Sequence, residues 1–272
     1  MNEEMQRRHR IRNDLRRAID GGELELRYQP QADSRSLDIV GVEALVRWQH
    51  PELGWVPATE IVSIAEECGL IVPLGRWVVK QATRQAQAWR EQGFHGLRLA
   101  INVSPRQARD EGFVDYVSTM LERTGSAPGL LELEITESLL LDDTERNQRF
   151  LQRIRDKGIR LAIDDFGTGY SSLAYLQRLP IGQLKIDMSF VRAIPGDGAP
   201  ITIVILAMAH SLRLSVVAEG VENETQLEFL RRAGCDVIQG YLVSKPLTAA
   251  RMSEFLRRGM APRQSPELRA LS

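Results

Sequence analysis

The chain has 272 residues, 43% of them hydrophobic, and 35 basic against 36 acidic side chains leave a formal net charge of −1. That balance excludes bulk electrostatic affinity for a DNA or RNA polymer but leaves room for a local phosphate-binding cleft. Two cysteines, Cys68 and Cys235, lie outside any CxxC spacing, and the longest apolar run is only Ile203 to Ala209, which argues against a disulfide framework, a structural zinc site and membrane contact by this segment.

The first twenty residues have no apolar signal-peptide core. Ile11, Leu15, Ala18 and Ile19 share one helical face, with Arg7, Arg8, Arg10, Arg12, Arg16 and Arg17 around it. The expectation is a solvated amphipathic helix on the barrel bottom, leading (1–20) into one domain at 21–258. The last residues, 259–272, read as a frayed tail. Short apolar runs then follow as candidate strands: Leu24–Gln29, Val40–Trp48, Leu97–Val103, Leu130–Ile135, Leu161–Asp164, Gln183–Ile186, Ser215–Ala218 and Val237–Gln239. Most are apolar on both faces, as parallel strands covered by helices are.

Helical periodicity fills the gaps. Arg76–Arg90 carries Trp77, Val78, Ala82, Ala86 and Trp89 at helical spacing; Asp143–Lys157 stops at Gly158 and Glu224–Ala233 stops at Gly234, each glycine standing where a helix C-terminus favours one. The alternation predicts an α/β fold, a closed TIM-type (β/α)8 barrel. One connection departs from the rule. Only a short polar stretch containing Asp33, Ser34 and Ser36 separates the first two strands, less than a parallel crossover needs. The first strand is therefore expected to run antiparallel.

Carboxylates and an amide fall where these strands end. Glu43 interrupts Ile39–Val42, Asn102 follows Leu99–Ile101, Glu134 and Glu137 sit in the next run, Asp164 and Asp165 close Leu161–Ile163, and Glu219 closes Val216–Ala218. Barrel strand ends converge on the face where active sites form. Singly, Glu43 reads as a surface acid, Asp164-Asp165 as a turn and Lys185 as an ion-paired or snorkelling lysine. Their joint occurrence on separate strands favours a ligand set, because buried carboxylates side by side are costly unless cations neutralise them. An all-oxygen donor set suits Mg²⁺ or Mn²⁺, two ions about 4 Å apart serving phosphoryl displacement.

At these residues the sequence resembles the EAL-domain phosphodiesterases, which cleave cyclic di-GMP to linear pGpG. The name-giving Glu43-Ala44-Leu45 is accompanied by Tyr28-Gln29-Pro30, Asn102-Val103-Ser104, Glu134-Ile135-Thr136-Glu137, Asp164 through Ser172, Lys185-Ile186-Asp187, Ala218 through Glu222, Gln239-Gly240-Tyr241 and Lys245-Pro246-Leu247, in family order over roughly residues 10 to 258. The resemblance implies one metal at Glu43, Asn102, Glu134 and Asp164, and a second at Asp164, Asp165 and Glu219. It implies Lys185 near the attacking water with Gln239 assisting, Arg47 on a phosphate and Gln29 on the substrate side. Glu137 would prop the loop Asp165–Ser172.

The two isolated cysteines point to a reducing, cytoplasmic setting, and the resemblance implies a catalytic domain of a longer, multidomain sensor protein whose parent can be membrane-anchored. It also implies a homodimer through the face near that loop. A catalytically silent cyclic di-GMP receptor is the alternative function; a differently specialised enolising barrel leaves the Asp164–Ser172 motif unexplained.

Overall fold

The computed structural model describes residues 3–137, 139, 145–167, 176–177 and 179–260. The expected loop at 168–172, the helix start at Asp143 and the tail beyond Met260 lie outside the described residues.

Strand β1 (Leu24–Asp33) forms an antiparallel hairpin with β2 (Ile39–His50). The turn is made by its own side chain: Oδ1 of Asp33 accepts from the N–H of Arg35 (2.9 Å) and Ser36 (2.8 Å), while Leu37 adopts φ +62°. Such an aspartate-led turn reverses the chain without a crossover helix. A short strand, β3 (Gly54–Val56), extends β2 outward in a second hairpin; it is too brief to carry a periodicity signal.

The remaining strands are β4 (Arg98–Val103), β5 (Leu131–Thr136), β6 (Arg160–Phe166), β7 (Gln183–Ile186), β8 (Ser215–Ala218) and β9 (Val237–Gln239). They run parallel to β2 and to one another, and β1 closes the ring by pairing antiparallel with both β2 and β9. The result is an eight-stranded α/β barrel with one reversed strand, as the short first connection requires.

Helices α1 (Glu3–Gly21), α2 (Ala58–Glu67), α3 (Ile71–Glu91), α4 (Pro105–Ala108), α5 (Phe113–Thr124), α6 (Glu145–Asp156), α7 (Met188–Arg192), α8 (Gly198–Ser211), α9 (Glu224–Arg232) and α10 (Ala249–Met260) surround it. Apolar outward faces of the strands meet these helices. Trp89 of α3 is 1% exposed, donates from Nε1 to Oγ of Ser253 on α10 (3.0 Å) and meets Tyr28 edge-on at 4.7 Å. A buried tryptophan thus keeps its polar edge satisfied.

Helix α1 buries Ile11, Leu15, Ala18 and Ile19 as its pattern predicts. Its position corrects the expectation. Leu24, the first residue of β1, pairs with Trp48, beyond the carboxyl ends of the parallel strands. The helix therefore joins the molecule at that end rather than at the barrel bottom. Arg7 and Arg8 ion-pair with Glu60 (3.0 Å) and Glu67 (2.7 Å) of α2, and Asp14 holds His50 at the end of β2 (3.0 Å). The reversed first strand causes this, because it enters where an ordinary barrel strand would leave.

Candidate active site

Strand alternation points every second residue into the barrel. Near the carboxyl ends this aims Glu43 of β2, Asn102 of β4, Glu134 of β5, Asp164 of β6, Lys185 of β7 and Gln239 of β9 at a common centre, with Glu219 just past β8. All the carboxylates proposed to flank the first metal meet at Lys185. Its Nζ lies 2.7 Å from Glu219, 2.9 Å from Glu134, 3.0 Å from Asp164 and 3.8 Å from Glu43. The lysine is 1% exposed, so it does not snorkel; it is ion-paired, and the pairing is buried. Burial opposes its charge, but Asp164, Glu134, Glu219 and Glu43 outweigh that and hold the ammonium above its ordinary pKa.

One ammonium does not balance four carboxylates. Burial, reinforced by neighbouring acids, raises Glu134 well above the usual carboxylate range and Glu219 to about 8. One atom discriminates further. Oε1 of Glu134 is buried and has no hydrogen-bond partner among the described residues, although buried carboxylate oxygens are normally satisfied. An oxygen-only set with an orphaned carboxylate oxygen fits a hard divalent cation. Asp164, Asp165 and Glu219 also present oxygens within 4.8 Å of one another, a geometry that fits a second ion.

Amides steady the other side of the cluster. Nδ2 of Asn102 donates to Oε1 of Glu43 (2.5 Å), and Nε2 of Gln239 donates to Oε2 (2.5 Å). A longer contact of 3.4 Å joins Nε2 of Gln239 to Oε1 of Gln29. Gln239 thus lies against Glu43, and Gln29 stands beside it on β1.

Asp165 lies near the end of β6, where the register with β7 shifts; it has φ +53°, and its N–H donates to Oδ1 of Asp164 (3.1 Å). Burial, then Asp164 and Asp187, push its carboxyl up to about 6. Glu137 reaches the loop after β6, since its Oε2 accepts the Gly167 N–H at 3.4 Å. Gly167 itself has φ +100°, and a Cβ there would lie 2.8 Å from the Phe190 ring, so only glycine fits. Asp187 received no role from sequence, although it continues the inward alternation two residues after Lys185. It bonds Asp165 through its side chain and caps α7 by accepting from Ser189 N (2.9 Å).

Arg47 stands apart from the acid cluster. Its Nη1 donates to the carbonyl of Val46 (2.8 Å), and burial lowers its pKa while Glu43 and Tyr241 act against that. A cleft of about 590 Å³ opens from the cluster toward α2 and α3, with Leu45, Val62, Leu74 and Val78 on its apolar wall and Asn102 and Glu134 at its polar end. That volume and lining are those of small-molecule sites.

Comparison with known proteins points the same way. The EAL domain family model matches residues 12–246. A bifunctional diguanylate cyclase/cyclic di-GMP phosphodiesterase, MucR of Pseudomonas aeruginosa, is 41% identical over 93% of this chain and 37% of its own length. The cyclic di-GMP phosphodiesterase NbdA of the same organism is 43% identical over 91% of this chain and 32% of its own. A solved MucR phosphodiesterase in complex with cyclic di-GMP superposes with a TM-score of 0.86 at 41% identity, covering 89% of this chain and 99% of that one. The chain spans about a third of the length of the curated relatives it matches. No described helix is long and apolar enough to cross a membrane.

Proposed function

The chain belongs to the EAL-domain family, and we propose that it hydrolyses one phosphodiester bond of cyclic di-GMP to give linear pGpG. The observation that carries this reading is the unpartnered Oε1 of Glu134 inside a carboxylate cluster that one lysine cannot neutralise. Glu43, Asn102, Glu134 and Asp164 would hold one Mg²⁺ or Mn²⁺ ion, and Asp164, Asp165 and Glu219 a second. Bound there, such ions lower the pKa of water and stabilise charge developing on the phosphodiester.

The protein's own groups do the rest. Lys185 reaches both halves of the carboxylate set, so its ammonium, a donor only, would orient the attacking water. Arg47, half-buried, gives one guanidinium nitrogen to the Val46 carbonyl and offers its planar fork to a phosphate. Gln29 faces the substrate from β1, and the apolar wall beside Leu45 and Val62 suits a purine face. Glu137 holds the loop that follows Asp165. The reading extends to a homodimer through the face near that loop, to a cytoplasmic setting, and to a longer sensor protein of which this barrel is the catalytic part.

The test is incubation with cyclic di-GMP and Mg²⁺ or Mn²⁺, with chromatographic detection of pGpG. Hydrolysis should stop in EDTA and return with either ion. Ca²⁺ should restore little, because its longer, looser coordination misplaces the water. Full turnover in excess EDTA rules out the metal reading; tight binding without pGpG makes the protein a receptor.

A further inference from the structure

Gln31 had no role in the reading above. It is 1% exposed and faces into the barrel two residues after Gln29, opposite Gln239 on β9 and Gly41 on β2. Its Nε2 donates to Oε1 of Gln239 at 2.9 Å. Nε2 of Gln239 donates in turn to Oε2 of Glu43 (2.5 Å), whose other oxygen accepts from Asn102 (2.5 Å).

The direction of this chain is forced by chemistry. An ionised carboxylate only accepts, so Gln239 must turn its NH₂ toward Glu43. Its carbonyl oxygen then faces β1, where only a donor satisfies it. Gln31 supplies that donor. An amide buried this deeply is costly unless its bonds are needed, and leucine would fill the position without that cost. Room for the side chain is kept by Gly41, where a Cβ would lie 2.8 Å from Oε1 of Gln31.

We propose that Gln31 is a positioning residue for metal binding. It locks the Gln239 amide in the orientation that donates to Glu43, and so fixes where that carboxylate points. The inference rests on Glu43 being a metal ligand, as proposed above.

The test is calorimetric titration with Mn²⁺ of the wild type, Gln31→Leu, Gln239→Leu, the double variant and Glu43→Gln. The affinity followed is the one that Glu43→Gln lowers. Removing the partner of a ligand commonly costs ten- to a hundredfold in metal affinity, and Gln31→Leu should weaken Mn²⁺ about tenfold. Because Gln31 acts through Gln239, the double variant should bind no more weakly than Gln239→Leu alone. Should Gln31→Leu fail to fold, Gln31→Met keeps the length and flexibility without the donor and serves the same comparison.

Unchanged affinity in Gln31→Leu, or losses that multiply in the double variant, overturns the proposal. Unchanged affinity in Glu43→Gln removes the metal-ligand reading and this inference together. A loss in Glu43→Gln with none in Gln31→Leu removes this inference alone.

Discussion

Asp165 combines two features that rarely coincide, a left-handed backbone at φ +53° and a carboxyl pushed up to about 6 by burial and by its acidic neighbours. Asparagine tolerates the left-handed region better than most side chains do, so Asp165→Asn should leave the loop and the Glu43–Asn102–Glu134–Asp164 group in place. It removes the charge that would hold the second ion. Interactions made more strongly in the transition state than in the ground state appear in kcat, so kcat should fall about 10²-fold or more. Cyclic di-GMP affinity should change less than tenfold. Single-turnover hydrolysis beside calorimetric binding separates the two, and a collapse of affinity with an unchanged chemical step would reverse the assignment. Glu137 acts one step away, through the Gly167 N–H it accepts at 3.4 Å. Glu137→Ala should lower turnover by about 10- to 100-fold, as loss of a supporting partner does, and Glu137→Gln should recover part of it because its carbonyl still accepts. Equal turnover in all three proteins would make Glu137 a bystander.

Between elements, α3 and α4 meet closely at Gly75. A Cβ on Gly75 would lie 1.6 Å from Nε2 of Gln107, a buried side chain whose Oε1 accepts from Ser104 N (2.9 Å) in the capping box of α4. Gly75→Ala should therefore expel Gln107, loosen α4 and destabilise the fold by about 1–3 kcal/mol. It should also weaken Mn²⁺ binding, since α4 follows Asn102 by only a few residues. Denaturant unfolding and metal titration read the two effects; wild-type stability would show that Gln107 repacks freely. Contacts of this kind explain what the sequence revealed and what it hid. The bounds of strands β7, β8 and β9 agree with the sequence because their runs end at Asp187, Glu219 and Gly240, and the reversal of β1 follows from loop length. The inward acids were legible through alternation and motif order. Strand β3, the far placement of α1 and the Asp187–Asp165 contact were not. Each depends on which residues meet across the barrel, and nothing in local periodicity carries that. Gln31 did leave a trace, lying two residues from Gln29 on the same strand face.

For the whole molecule, the carboxylate cluster binds either protons or cations, and that choice ties stability to pH. Without metal, burial raises Glu134 well above its ordinary range, Glu219 to about 8 and Asp165 to about 6, whereas unfolded carboxylates titrate near 3.9–4.3. Between about pH 4.5 and 8 the folded protein therefore holds more protons than the unfolded chain. Stability carried by these groups is fully present below about pH 4 and is lost as pH rises toward 8. Lys185 is raised as well, but its contribution lasts until pH passes its unfolded value near 10.4, so it stays constant in this window. In EDTA, Tm should consequently fall from pH 5 to pH 8. Divalent ions take the place of the protons, so their affinity should rise over the same range, and an ion at a hundredfold its Kd adds about 2.7 kcal/mol to folding stability. The gap in Tm between Mg²⁺ and EDTA should widen steadily with pH. Glu219→Gln, which cannot ionise, should flatten the EDTA curve between pH 6 and 8. Thermal unfolding at pH 5, 6.5 and 8 in both conditions decides the matter: a metal-free Tm that rises with pH, or a gap that stays constant, contradicts a cluster in which protons and metal ions compete.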